Sequence, residues 1–197
     1  MKDQVNKARF DHHGNMLDPM EGPMMSAPVG YKHSLQQEKL QKAVELFETS
    51  PFNVYDGPEK PELLIITSSI CDLYAKEAVS MLGLETRVGI LKLGCTWPLP
   101  PRLIETYLGR CDQVLFVEEV LPFLEEQVKI LAAEIAPRIG AKTFYGKNNG
   151  DIPSTGEMNP DLVIKALAEV FKLDYAPADD DYRQKAAEIA FTGAPPR

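Results

Sequence analysis

Four short apolar runs, each followed by a segment of helical period, constrain this chain more than any other feature. Leu63-Leu64-Ile65-Ile66-Thr67 is too short for a helix and apolar at both parities, the pattern of a strand covered on both faces. Ala75, Ala78, Val79 and Leu82 then form one helical stripe that closes at Gly83, a natural C-terminal cap. Residues 87–93 read as the next strand, and Leu103, Ile104, Tyr107 and Leu108 carry a helix from Pro100 or Pro101 to Gly109. A third strand spans 113–118. After it Leu124, Val128, Leu131 and Ile135 share one helix face, which Pro137 is expected to end. A fourth strand spans 142–145, and Asn159-Pro160-Asp161 opens a helix bearing Leu162, Val163, Ala166, Leu167, Val170 and Phe171. Repeated strand-then-helix units predict an α/β fold: a three-layer sandwich with a mainly parallel sheet flanked by helices.

The flanks read differently. Residues 1–33 hold Met16, Met20, Met24 and Met25 among prolines and glycines with no sustained period, so they are expected to form an extended arm or linker. Methionine adapts to partner surfaces, and the arm reads either as packed on a neighbour or as a plain tether. Ser34 with Gln37 forms a capping box, and Leu40, Val44 and Phe47 continue a first helix over 35–49 until Ser50-Pro51. The α/β domain is placed at 34–173. Beyond it, 174–197 reads as an acidic linker with a short helical stretch to Phe191, leading towards a further domain.

At 197 residues one core is expected, burying roughly 70% of the unfolded surface. A formal charge of −8 opposes nucleic-acid binding, which needs clustered cations. Cys71, Cys95 and Cys111 are an odd, widely spaced set, and His12, His13 and His33 all lie near the N-terminus, so neither a disulfide framework nor a metal site is indicated. No apolar run reaches the roughly 18–20 residues of a membrane span, and the polar start is not a secretory signal; a cytoplasmic setting is expected.

Two constellations sit where open α/β sheets place ligands, at the carboxyl ends of strands. Glu118 and Glu119 end the third strand; they suit acid/base or cation-binding work, but the preferred reading is that they favour the positive end of the following helix. The loop Gly146-Lys147-Asn148-Asn149-Gly150 has the residues of an anion cradle, yet lacks the spacing and Lys-Ser/Thr of a P-loop and reads better as a loop for docking another domain. Ser68 and Ser69 follow the first strand and are expected to cap the next helix, since no histidine is at hand to activate them. No catalytic residue is assigned.

The segments 64–68, 94–100 with Trp97-Pro98-Leu99-Pro100, Val117-Glu118-Glu119 with Pro122 and 125–129, and 145–157 occur in the order found in the alpha subunit of indolepyruvate ferredoxin oxidoreductase. Residues 34–171 resemble its middle domain, related to the transketolase carboxyl-terminal domain. Ser69 stands where glycine is expected after Thr-Ser, so a local change of backbone is expected there. The resemblance implies a thiamine-diphosphate enzyme that oxidatively decarboxylates aryl-pyruvates to acyl-coenzyme A and passes electrons through 4Fe-4S clusters to ferredoxin. Thiamine diphosphate, Mg and the clusters are implied for the full enzyme and not for this segment: Gly150-Asp151 continues as Ile152-Pro153 instead of Gly-Asp-Gly, and no four-cysteine set is present. The implied role is an excised structural and interface domain contacting other domains of its subunit and a second subunit, with Glu118, Glu119, Gly146, Lys147, Asn148 and Glu157 as candidate interface or ligand-binding residues. The alternative is a stand-alone module for an anionic ligand such as a nucleotide or coenzyme A.

Overall fold

The computed structural model describes residues 29–175 together with Lys185 and Glu188. Most of the expected arm and of the expected helical stretch to Phe191 therefore lie outside the described residues. The elements are α1 (Val29–Glu48), β1 (Val54–Asp56), β2 (Leu63–Thr67), α2 (Cys71–Met81), β3 (Val88–Lys92), α3 (Pro101–Leu108), β4 (Gln113–Val117), α4 (Phe123–Ile139), β5 (Thr143–Tyr145) and α5 (Pro160–Phe171).

One five-stranded sheet runs in the order β1-β3-β2-β4-β5. β2 pairs parallel with β3 and β4, and β4 pairs parallel with β5. Strand parity divides the core. Leu63, Ile65, Leu115 and Val117 pack with α2 and α5, whereas Leu64, Ile66, Val114 and Phe116 pack with α3 and α4. The chain moves from β2 to β3 through α2 on one face, then back past β2 to β4 through α3 on the other. A reversal of direction with a change of face is what right-handed crossovers require. The crevice it opens lies beyond the carboxyl ends of β2 and β4, the place where such sheets bind ligands.

Three sequence readings are corrected and one strand is added. Helix α1 begins at Val29 rather than at residue 35, so 29–33 are helical and not part of an arm. Ser34 sits inside the helix, its hydroxyl donating to the Gly30 carbonyl at 3.1 Å, and Gln37 bonds His33 at 3.1 Å, so the capping box does not form. Serine bonds backward to the i−4 carbonyl as readily as forward to an amide, and nothing in 29–33 blocks a helical turn. Pro137 does not end α4, which runs on to Ile139 before Gly140 at φ 76°; the proline forgoes only its own N–H bond to the preceding turn, and the helix closes beyond it with Gly140 N donating to the Ala136 carbonyl at 2.8 Å. The structure adds an antiparallel edge strand, β1, paired Val54 with Lys92 and Asp56 with Ile90. Three half-exposed residues carry no period to detect.

Candidate functional site

At the carboxyl edge of the sheet α3 and α4 begin without local caps. Pro100 and Pro122 hold the N-cap positions of α3 and α4 and offer no side-chain acceptor. Distant carboxylates supply the bonds instead. Glu48, at the end of α1, accepts from Arg102 N at 2.9 Å and Leu103 N at 2.8 Å, which fixes α1 to the start of α3. Glu118, at the end of β4, accepts from Leu124 N at 2.7 Å and Glu125 N at 2.9 Å. The Glu118 carboxylate thus occupies the positive end of α4. Burial pushes its pKa up from the ordinary carboxylate value, with the two amide bonds and Lys147 opposing and Glu125 reinforcing the rise.

Glu125, in the first turn of α4, is 0% exposed and fills the loop after β5. Its carboxylate accepts from Lys147 N at 2.9 Å, Asn148 N at 3.3 Å and Lys129 Nζ at 2.6 Å. The amide nest that glycine-rich loops offer to anions is therefore occupied by a carboxylate of the same chain. Gly146 is required at this position: a Cβ there would lie 2.5 Å from Glu125 Oε2. Asp151 closes the loop from the other end, Oδ2 accepting from Gly146 N at 2.9 Å, and Ile152 anchors it in the core. With Asp151 so engaged and Ile152-Pro153 following, these residues do not fit a metal-diphosphate group.

Lys147 is only 7% exposed, and its ammonium donates to the Val120 carbonyl at 3.0 Å. That bond holds Val120 at φ 56°, a left-handed conformation that is rare for a β-branched residue and costs an L-residue about 1–2 kcal/mol. The tip so formed projects Val120 and Leu121, 70% and 69% exposed, with Phe123 and Trp97 also open. Beneath them Ser68, Thr96, Glu118 and Glu119 line a shallow cleft of about 270 Å³. Glu119 is half-buried; Asn148 and Glu157 are exposed. The structure brings Glu118, Gly146, Lys147 and Asn148 into one cluster through Glu125, and leaves Glu157 on the loop before α5, outside those hydrogen bonds.

The serine turn departs from expectation. Helix α2 has Ile70 at its N-cap and no side-chain cap bond, so Ser68 and Ser69 do not cap it. Ser69 takes φ 54°, the conformation glycine adopts most cheaply. Among the described residues two buried polar atoms have no protein partner, Thr67 Oγ1 and Asp72 Oδ1; Asp72 Oδ2 meets Lys76 at 2.9 Å and Lys92 at 3.7 Å. Burial first, then the Glu119 and Glu118 carboxylates, push the Cys71 thiol up to about 11 against the opposing Lys147 charge. Burial does the same for Cys111, also to about 11.

Sequence reasoning missed Glu125 and Glu48. Glu125 did leave a signal: it stands three residues before Val128 and seven before Ala132, on the inward side of α4, where an acid requires a buried partner. Glu48 left none, because its partners are 54 and 55 residues away.

No family model matches the chain. It is similar to indolepyruvate oxidoreductase subunit IorA of Pyrococcus horikoshii, 35% identical over 157 residues, which is 78% of this chain and 23% of that subunit. The same subunit of Thermococcus kodakarensis is 35% identical over 169 residues, 84% of this chain and 24% of the relative. This chain is a homologue of part of IorA. It spans about a quarter of the length of the curated relatives it matches. In Pyrococcus abyssi IorA the identity is 34% over 170 residues. Among solved structures the chain is similar to 2-oxoglutarate:ferredoxin oxidoreductase from Magnetococcus marinus, at 15% identity and a TM-score of 0.48, covering 76% of this chain and 24% of the other. No helix among the described residues is long and apolar enough to cross a membrane.

Proposed function

We propose that this IorA homologue is the structural and interface domain of a thiamine-diphosphate-dependent indolepyruvate (2-oxoacid) ferredoxin oxidoreductase, an enzyme that oxidatively decarboxylates aryl-pyruvates to acyl-coenzyme A in the cytoplasm. The segment does no chemistry alone. In this reading the domain is 34–173, with the first turn of α1 from Val29 joined to it, between an arm and an acidic linker. Its partners are other domains of the same subunit and a second subunit; thiamine diphosphate, Mg, 4Fe-4S clusters, ferredoxin and coenzyme A belong to the rest of the enzyme.

The observation that carries this reading is Glu125. Its buried carboxylate fills the amide nest of the β5 loop, and Glu118 fills the N-terminus of α4, so both anion positions at the sheet edge are taken by the chain itself. A filled edge suits a scaffold better than a module for nucleotide or coenzyme A. The tip built on it, strained at Val120 and apolar at Leu121, Phe123 and Trp97, has the character of a docking surface. Glu118, Glu119, Gly146, Lys147 and Asn148 then act by shaping that edge, and Glu157, exposed on the loop before α5, serves as a separate contact residue.

The test has two arms. The purified chain is assayed with indolepyruvate, thiamine diphosphate and an electron acceptor, and turnover above background sinks the reading. The segment is also grafted in place of the matching quarter of Thermococcus kodakarensis IorA. Leu121→Asp in the graft is expected to weaken assembly of the enzyme while leaving the melting of the isolated segment unchanged; assembly and turnover equal to the unsubstituted graft would refute the interface role.

A further inference from the structure

The two carboxylates that end β4 stand in different states. Glu118 is fully engaged, its oxygens accepting from two amides of α4. Glu119 is half-buried, yet it makes no hydrogen bond or ion pair among the described residues. It shares the cleft of about 270 Å³ with Ser68, Thr96, Val120, Leu121 and Phe123. The Ser68 and Thr96 hydroxyls are likewise unbonded among the described residues. The neighbouring Lys147 ammonium is buried and spent on the Val120 carbonyl. The cleft therefore has apolar walls, free oxygen acceptors and a negative field. Cys71, at the first position of α2, reports that field. A helix start ordinarily lowers a thiol pKa, but burial first, then the Glu119 and Glu118 carboxylates, raise this one against Lys147.

We propose that this cleft receives an arginine side chain, carried by an apolar protein surface of the enzyme that packs on the tip; this rests on the interface role given above and names the group that the interface recognises. Charge and shape select the occupant. A phosphate or carboxylate would meet two carboxylates of like sign. A purely apolar surface would bury Glu119 without a counter-charge, which is costly. An ammonium is more strongly hydrated than a guanidinium, and it offers neither a fork for two carboxylate oxygens nor a plane for the Phe123 ring. A guanidinium supplies both. Two of its N–H groups pair with Glu119, the others reach the Ser68 and Thr96 oxygens, and its stem lies along Val120 and Leu121. Leu121 and Phe123 then pack around the pair and exclude water from it, the setting in which one charged contact becomes a hot spot.

The experiment titrates the isotope-labelled 197-residue chain with N-acetylarginine methylamide. Beside it run the citrulline analogue, which keeps the shape without the charge, and the lysine analogue, which keeps the charge without the fork. The arginine probe should shift the amide signals of Ser68, Thr96 and Glu119 in a saturable way and leave those of α5 in place. Both analogues should shift them less at equal concentration, and Glu119→Gln, with its melting unchanged, should abolish the response. The proposal is overturned if no shift appears, if either analogue matches arginine, or if the shifts persist in Glu119→Gln. In the Thermococcus kodakarensis graft, Glu119→Lys should weaken assembly about tenfold or more, the scale of like charges set against each other at an interface. Leu121→Asp separates the two ideas. If it weakens assembly while Glu119→Lys does not, the arginine is wrong and the interface role stands; if neither weakens assembly, the interface role falls as well.

Discussion

Replacing Glu125 with glutamine tests the central feature of the sheet edge, because the change keeps the shape and removes the charge. The wild-type carboxylate holds three donors, Lys147 N, Asn148 N and Lys129 Nζ. Glutamine offers one oxygen and turns its amide N–H groups towards at least one donor, which leaves a buried backbone N–H or the Lys129 ammonium without a partner. A hydrogen bond to a charged group is worth about 1.5–3 kcal/mol, and breaking a buried ion pair from one side costs about 3–5 kcal/mol. Because Lys129 is partly exposed and keeps some solvation, the lower end applies, and about 3 kcal/mol is expected. For a chain of this size that is a fall in Tm of about 6–12 °C. Circular-dichroism melts at neutral pH measure it, and hydrogen exchange at Lys147 and Asn148 reports whether the loop has opened. The control is Glu126→Gln, one residue on and exposed, expected to stay within about 0.5 kcal/mol. A loss below about 1 kcal/mol with unchanged protection at both amides would refute the reasoning.

Other outcomes follow from the same edge. Ser69→Gly should stabilise the domain by about 0.5–1 kcal/mol in urea unfolding, since glycine holds a φ of 54° without a Cβ penalty; a loss of stability would show that the serine side chain is needed. A thiol reagent at neutral pH should modify Cys95 rapidly and Cys71 and Cys111 only on unfolding, because the latter two are buried with pKa values of about 11; equal rates in mass spectrometry would contradict the packing. Glu118 titrates higher in the folded state than unfolded, so the folded state binds its proton more tightly and the contribution is fully present at low pH. The stability of the wild type relative to Glu118→Gln should therefore fall as pH rises from the unfolded carboxylate range through the raised folded value; a relative stability that climbs with pH in urea titrations would mean that the two amide bonds outweigh burial.

The sequence by itself determined the layers, because hydrophobic period is a local property. The run Leu63–Thr67 is apolar at both parities because both faces of β2 are covered, and Ala75, Ala78 and Val79 recur at helical spacing because one side of α2 meets the core. Asn159 was legible as a cap since its acceptor, bonding Leu162 N at 3.1 Å, lies three residues from its donor. The carboxyl edge was legible as a place, through strands that end in Glu118-Glu119 and in Gly146-Lys147. What the edge does was decided by tertiary structure. Glu125 and the loop it fills are separated by 22 residues, and Glu48 reaches α3 from 54 residues away. Only the folded sheet brings them together, so no local period announces either pairing. The start of α1 at Val29 and the strand β1 escaped for a related reason. The first has no buried face to impose a period, and the second exists only because β3 offers it a free edge.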